Sequence, residues 1–297
     1  MSTVVKDITK FGFEPLLQEQ LLWYSVVKNI SPKEPTMKSI LAQKKLFIFD
    51  IDGTISLDNR LFARTKDVFD KLLSQGKFIY LVTNNSSKLP SHYISNLSRS
   101  GLDTDKIRLI SSLDLALEYL HTNDMKHVYW AANETVSKYI SGKGFVFDES
   151  SPKAILLTYD TEINYTKLLK ITELLHKGTP YFATHTDFVC PTDLGYYVPD
   201  IGSFMALIEA ATGKTPDKTL GKPERYCIDK ALAETGLTKD DVIVIGDRLY
   251  TDIELANRAD ITSVLVLSGE TTKQMHDESP TKAGFVIGSI DEMYEYL

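Results

Sequence analysis

The chain has 297 residues, 43% of them hydrophobic and 25% charged, enough for one large or two medium domains with a sizeable buried core. A formal net charge of −7 argues against a nucleic-acid groove, where a clustered basic face is expected, but leaves room for a small anionic substrate in a local positive pocket. Cys190 and Cys227 stand far apart with no metal-binding spacing, so no disulfide framework is implied and a reducing cytoplasm is expected.

Residues 1–43 read as an N-terminal helical extension. LLQEQLLWYSVVKNI has helical spacing of apolar residues, and SPKEPTMK after it reads as a linker with two prolines. The opening MSTVVKDITKFGFEP has no apolar core of signal-peptide length, and no later stretch approaches the ~20 apolar residues of a bilayer span.

From Leu46 the pattern becomes a strict alternation. Short apolar runs occur at LFIFD, KFIYLVT, KHVYWAA, KAILLTYD, PYFAT, VIVIGD and SVLVLS. Between them lie helical patterns such as RTKDVFDKLLSQG, SHYISNLSRSG, NYTKLLKITELLHKG, SFMALIEAATG and ERYCIDKALAETG, several closing on the glycine that a helix C-terminus favours. The runs lack period-2 alternation, which predicts strands buried on both faces of a parallel sheet and an α/β fold.

Ligands of open parallel sheets sit beyond the carboxyl ends of the strands. Those ends read Asp50 with Asp52, then Thr83-Asn84-Asn85, then Gly246-Asp247. Two acids two residues apart could divide their labour, one ionised as nucleophile and one protonated as general acid. The competing reading is an Asx-turn closed by Gly53. Thr83, Asn84 and Asn85 in VTNNSSK could cradle an anion, or serve only as a turn and helix cap. Asp247 and Asp252 in VIVIGDRLYTDI offer the hard oxygens that suit Mg²⁺, although Asp252 could equally cap the helix after it. Lys222 in LGKPER is a loop lysine, of interest because an acid-rich phosphate site needs a fixed cation. ATGKTP ends like a phosphate-binding loop but has Ile208 where its first glycine belongs, so Gly213 reads as a helix end. His185, near a strand end, and Cys190, in FVCPTDLG, each have a structural reading that competes with a ligand-facing one.

Together, FDIDGT, VTNNSS, GKP and GDRLYTD resemble the four motifs of the haloacid dehalogenase-like phosphatases. ATHTDFVCPTDLGYYVPDIGSF and VLVLSGETT resemble the branch that holds NagD and the p-nitrophenylphosphatases, including phosphoglycolate phosphatases. The resemblance covers residues 44–297. It implies a Rossmann-like parallel-sheet core over 44–125 and 216–297, with an inserted α/β cap over 126–215 whose segment 185–199 lines the substrate pocket. It further implies that Asp50 attacks phosphorus and binds Mg²⁺, and that Asp52 is general acid, then base, with its carbonyl on the metal. Thr83 and the Asn84 region would hold phosphate oxygens, Lys222 would steady nucleophile and phosphate, Asp247 would ligate Mg²⁺, and Thr54 and Asp252 would support the site. The acid at Asp52 matches phosphatases and phosphomutases rather than halide-removing members. His185-Thr186-Asp187 departs from the Asn-Pro-Asp common in the branch, which bears on substrate choice. The implied activity is Mg²⁺-dependent hydrolysis of a small phosphorylated metabolite such as a sugar phosphate, phosphoglycolate or a nucleoside monophosphate. A homodimer through the cap is compatible with this reading. A phosphomutase, or a catalytically silent scaffold that has kept the fold, is the alternative.

Overall fold

β1 (Leu46–Phe49) is followed by a short hairpin of β2 (Ser56–Leu57) and β3 (Arg60–Leu61), then by β4 (Phe78–Thr83) and β5 (Ile107–Ser111). Next come β6 (His127–Ala131), β7 (Val146–Phe147), β8 (Ala154–Leu157) and β9 (Tyr181–Ala183). A second hairpin of β10 (Val189–Cys190) and β11 (Val198–Pro199) precedes β12 (Lys218–Thr219), and β13 (Val242–Gly246), β14 (Thr262–Val266) and β15 (Phe285–Ile287) complete the chain. These elements come from a computed structural model that describes residues 36–57, 60–190 and 196–297. The expected helix LLQEQLLWYSVVKNI lies outside the described residues; the part of the 1–43 extension inside them holds the helix Met37–Gln43.

The compact unit Leu41–Leu297 carries two parallel sheets. The first has the order β15-β14-β13-β1-β4-β5. Every residue of β1 and β13 is buried, which explains why LFIF and VIVIG carry no polar alternation. The chain steps outward from β1 through β4 to β5, leaves, and returns to β13 on the other side of β1. Strand order therefore reverses between β1 and β13, where an open α/β sheet leaves a crevice for a ligand. Phe49 is in register with Ile245, and the Asp50 N–H donates to the Ile245 carbonyl at 2.9 Å, so the two acidic loops leave the sheet side by side.

The second sheet has the order β12-β9-β8-β6-β7. It extends past the expected edge at 215, because Lys218 and Thr219 pair with Phe182 and Ala183. One apolar cluster joins Ile48 and Val82 of the first sheet to Trp130 and Leu156 of the second through Leu113 and Leu117 of the helix Ser112–Thr122. The opposite face of the second sheet buries Tyr129, Ile155 and Leu157 against Ile171 and Leu174 of the helix Tyr165–His176. Gly213 ends the helix Ile201–Thr212 at φ 67°, and its N–H donates to the Glu209 carbonyl at 2.7 Å, so ATGKTP is a helix end. Among the described residues no helix is long and apolar enough to cross a membrane.

Candidate active site

The loop after β1 folds back on itself: the N–H groups of Thr54, Ile55 and Ser56 all point at the Ile51 carbonyl, and Gly53 donates to the Ser56 carbonyl at 2.7 Å. Gly53 takes φ +94°, and a Cβ there would stand 2.6 Å from Asp247 Oδ2, so glycine is required on both counts. The stretch is therefore a backbone turn built around Gly53. The turn places the Thr54 hydroxyl between two acids, 3.5 Å from Asp50 Oδ2 and 3.3 Å from Asp247 Oδ1. Asp247 is fixed from its other side, where Oδ2 accepts the Glu270 N–H at 2.7 Å.

Lys222 reaches the same point from the loop after β12. Its side chain is 3% exposed, and Nζ pairs with Asp50 Oδ1 and, at 2.7 Å, with Asp252 Oδ1. It also donates to the Val82 carbonyl at 3.3 Å, at the end of β4. Asp252 is held by its own loop, Oδ2 accepting the Arg248 N–H at 3.1 Å. Asp50, Asp247, Asp252, Lys222 and Thr54, drawn from three loops, therefore converge.

One ammonium faces three carboxylates here, and the protonation equilibria respond. Burial pushes the Asp50 carboxyl up; Lys222 opposes that and repulsion from Asp252 and Asp247 adds to it, leaving its pKa well above the ordinary value. Burial and then Asp252 raise Asp247 to about 6. Burial alone would lower Lys222, but Asp252 and Asp50 overcome it and hold the lysine above its usual value, hence charged. The surplus negative charge wants a cation. Carboxylate oxygens of Asp50, Asp247 and Asp252 lie within 4.8 Å of one another, a hard-oxygen set that fits Mg²⁺. Asp252, already engaged by Lys222, fits better as the lysine's anchor than as a ligand. Small residues make the set close: a Cβ on Gly269 would lie 2.0 Å from Asp247 Oδ2.

Asp52 is half-buried, bridged to Ser56 through the backbone, and borders a small cleft with Tyr93 and Asn96. Burial, followed by the charge of Asp52, pushes the Tyr93 hydroxyl well up.

Thr83 is buried at the end of β4, and its hydroxyl accepts the Asn85 N–H at 3.1 Å. Asn84 requires a correction. Its side-chain amide is spent inside the protein, Oδ1 accepting the Lys222 N–H at 2.8 Å while Nδ2 donates to the Lys222 carbonyl and to Asp187 Oδ1, each at 3.0 Å. It holds the lysine's backbone instead of gripping a ligand. The Asn85 side chain is likewise committed, Oδ1 accepting from the N–H and hydroxyl of Ser87 at 3.0 and 2.8 Å, which is turn chemistry.

The segment 185–199 also departs from expectation, and residues 191–195 of it lie outside the described residues. His185 and Asp187 are buried rather than lining a pocket. His185 Nδ1 accepts the Asp187 N–H at 3.3 Å, and Nε2 lies 3.7 Å from Asp200 Oδ1. Asp200 caps the helix Ile201–Thr212, accepting the Ile201 N–H at 2.6 Å, and burial raises its carboxyl to about 6. His185, Asp187 and Asp200 lie close enough to share a metal ion, but Asp187 Oδ2 already pairs with the Arg248 guanidinium, Nη1 at 2.6 Å. Burial would raise Asp187, but His185 and then Arg248 hold it well below the usual carboxylate range. Phe188, Tyr196 and Tyr197 of the same segment are exposed. Cys190 is half-buried and Cys227 buried, and the two are not joined in a disulfide. Arg248 and Glu270 were not singled out from the sequence, and Asp187 was read only as bearing on substrate choice. For Arg248 the available signal was its place directly beside the motif acid Asp247 in GDRL.

Two family models match the chain: Haloacid dehalogenase-like hydrolase over residues 47–146 and HAD-hydrolase-like over residues 219–293. The chain is similar to the solved structure of a 4-nitrophenylphosphatase from Thermotoga maritima, with 35% identity, a TM-score of 0.82, and coverage of 86% of this chain and 98% of that one. It is 26% identical to an acid sugar phosphatase of Staphylococcus saprophyticus, over 85% of this chain and 98% of the relative. It is also 26% identical to the chloroplastic phosphoglycolate phosphatase 1A of Arabidopsis thaliana, over 86% of this chain and 78% of the relative.

Proposed function

The chain belongs to the haloacid dehalogenase-like hydrolases and is a phosphatase for small phosphorylated substrates, and from that premise we propose that it is a Mg²⁺-dependent phosphomonoesterase working through an aspartyl-phosphate. One observation carries the reading: the Lys222 ammonium sits between Asp50 and Asp252 at the point where Thr54 links Asp50 to Asp247.

In this proposal an Asp50 carboxylate oxygen attacks phosphorus as the ester P–O bond breaks, and Asp52 gives its proton to the departing alkoxide. Asp52 then takes a proton from water, the water oxygen attacks phosphorus, and the Asp50–phosphorus bond breaks to release inorganic phosphate. Lys222 balances charge on Asp50 and on the transferring group throughout, with Asp252 fixing its direction. Thr83, with the backbone at Asn84 and Asn85, borders the phosphoryl oxygens. Asp50, Asp247 and the Asp52 carbonyl would hold Mg²⁺, which neutralises phosphoryl charge when bound. The second sheet, from His127 to Thr219, serves as a cap over the first and shields the transfer from bulk water. A sugar phosphate or phosphoglycolate, the substrates named in two relatives, is the proposed class of substrate, together with a nucleoside monophosphate.

The test is phosphate release from p-nitrophenyl phosphate and from a panel of such metabolites, with and without divalent cation. Chelation is expected to abolish turnover and Mg²⁺ to restore it. Mg²⁺ at a hundred times its Kd is also expected to stabilise the fold by about 2.7 kcal/mol, read as a rise in Tm. That rise has a definite pH dependence. Asp247, raised from 3.8 to about 6, disfavours folding while ionised, so the cation-free protein gains stability from this group as pH falls through about 6 toward 3.8. Protons then compete with the cation, and the Mg²⁺-induced rise shrinks below about pH 6. Full turnover in chelator would overturn the metal assignment.

A further inference from the structure

Asp187 belongs to the segment that follows β9, the strand next to the edge of the second sheet, yet it is 2% exposed, and beside His185 of its own segment its side chain meets two residues in the loops of the first sheet. Its Oδ1 accepts from Asn84 Nδ2 at 3.0 Å, and its Oδ2 pairs with Arg248 Nη1 at 2.6 Å. Followed outward, both contacts lead to the same lysine. Asn84 holds the Lys222 backbone at both its N–H and its carbonyl. The Arg248 N–H holds Asp252, which pairs with Lys222 Nζ. These links close a ring: Lys222 backbone, Asn84, Asp187, Arg248, Asp252, Lys222 ammonium. A branch runs on to the other acid, since Arg248 Nε lies 3.0 Å from Glu270 Oε2 and the Glu270 N–H donates to Asp247.

We infer that Asp187 is a positioning residue that sets the direction of the Lys222 ammonium through Asn84 on one arm and Arg248 on the other. The inference rests on the proposed phosphoryl transfer and adds to it a physical tie between the cap's return segment and the group that balances charge at phosphorus. Asn84 binds the Lys222 backbone at both its N–H and its carbonyl, and its remaining amide hydrogen goes to Asp187 Oδ1. Misplacing a charge-balancing group by a fraction of an ångström lowers the chemical step without altering how substrate is admitted. The effect therefore belongs in kcat.

The experiment is steady-state kinetics of Asp187→Ala and Asp187→Asn on p-nitrophenyl phosphate with saturating Mg²⁺, alongside Asn84→Ala and the Asp187→Ala/Asn84→Ala double variant. Asp187→Ala is expected to lose about tenfold to a hundredfold in kcat, with KM changed by less than about threefold. Asp187→Asn, which keeps an acceptor for Asn84 but not the charge facing Arg248, is expected to fall between it and the parent, and it carries the test if the alanine variant does not fold. In the double variant the loss in kcat is expected to be smaller than the product of the single losses, because both residues act on one lysine. A merely structural role leaves kcat per folded molecule at the parent value, and this outcome overturns the inference. A loss confined to KM, or losses that multiply, overturns it as well. An inactive parent enzyme would instead strike at the proposed function, so the two failures are distinguishable.

Discussion

Replacing Asp50 by Asn is expected to lower kcat for p-nitrophenyl phosphate by about 10⁴-fold or more, because an uncharged amide cannot form the bond to phosphorus on which both half-reactions depend. The fold should survive. Asp50 as an ion is opposed by burial and by repulsion from Asp252 and Asp247, and is favoured by Lys222. Neutralising it removes both the repulsion and the pairing, so the two changes largely offset each other. Circular dichroism and Tm, compared with the parent in the absence of cation, check that the loss is chemical.

Lys222→Met is expected to act on both activity and stability. The loss in kcat should be about 10²- to 10³-fold, the scale for removing one preorganised charge contact from a transition state. The stability cost should be about 3–5 kcal/mol at neutral pH, since the substitution leaves buried carboxylates without their ammonium. The sign with pH follows from which groups titrate. Burial already favours protonation of Asp50, so acid removes its uncompensated charge and the Tm difference between variant and parent should narrow as pH falls. Mg²⁺ should recover part of the lost stability at neutral pH and little of the lost activity, because it would offset buried negative charge without replacing the ammonium that Lys222 places between Asp50 and Asp252. A variant with parental Tm at neutral pH would contradict the buried pairing of Lys222 with Asp50 and Asp252.

Much of this arrangement was legible in the sequence because buried parallel strands leave a distinctive trace. LFIF, VIVIG and FIYLV have no polar alternation, and all three emerge as neighbouring strands at the centre of the first sheet. The acids after LFIF and VIVIG could be assigned to one rim because carboxyl ends of parallel strands point the same way. The edges were less legible. IRLIS was not picked out as a strand: β5 is at the border of the sheet, Arg108 is exposed, and the run reads as neither continuous nor alternating. FVI of β15, at the opposite border, is three residues long and only partly buried.

The roles of Asn84 and Asp187 show a different limit. A side-chain amide in a turn after a strand looks the same in sequence whether it faces a ligand or a lysine backbone 138 positions away. Asp187 likewise reads as a pocket residue because its segment belongs to the inserted domain, and only the three-dimensional return of that segment reveals its partners. Lys222 was the opposite case. A loop lysine is uninformative alone, and it gained meaning from the order of the motifs around it. Its burial and two acidic partners now supply the physical reason.

In the proposed reaction phosphorus passes through a covalent bond to Asp50. The most direct measurement is to quench the enzyme in acid during turnover of p-nitrophenyl phosphate with Mg²⁺, digest it, and locate added phosphoryl mass by peptide sequencing in a mass spectrometer. The expected result is one phosphoryl group on the carboxylate of Asp50, absent from the Asp50→Asn protein. Turnover with no phosphorylated peptide under conditions that preserve acyl phosphates, or a phosphoryl group on any other residue, would contradict it.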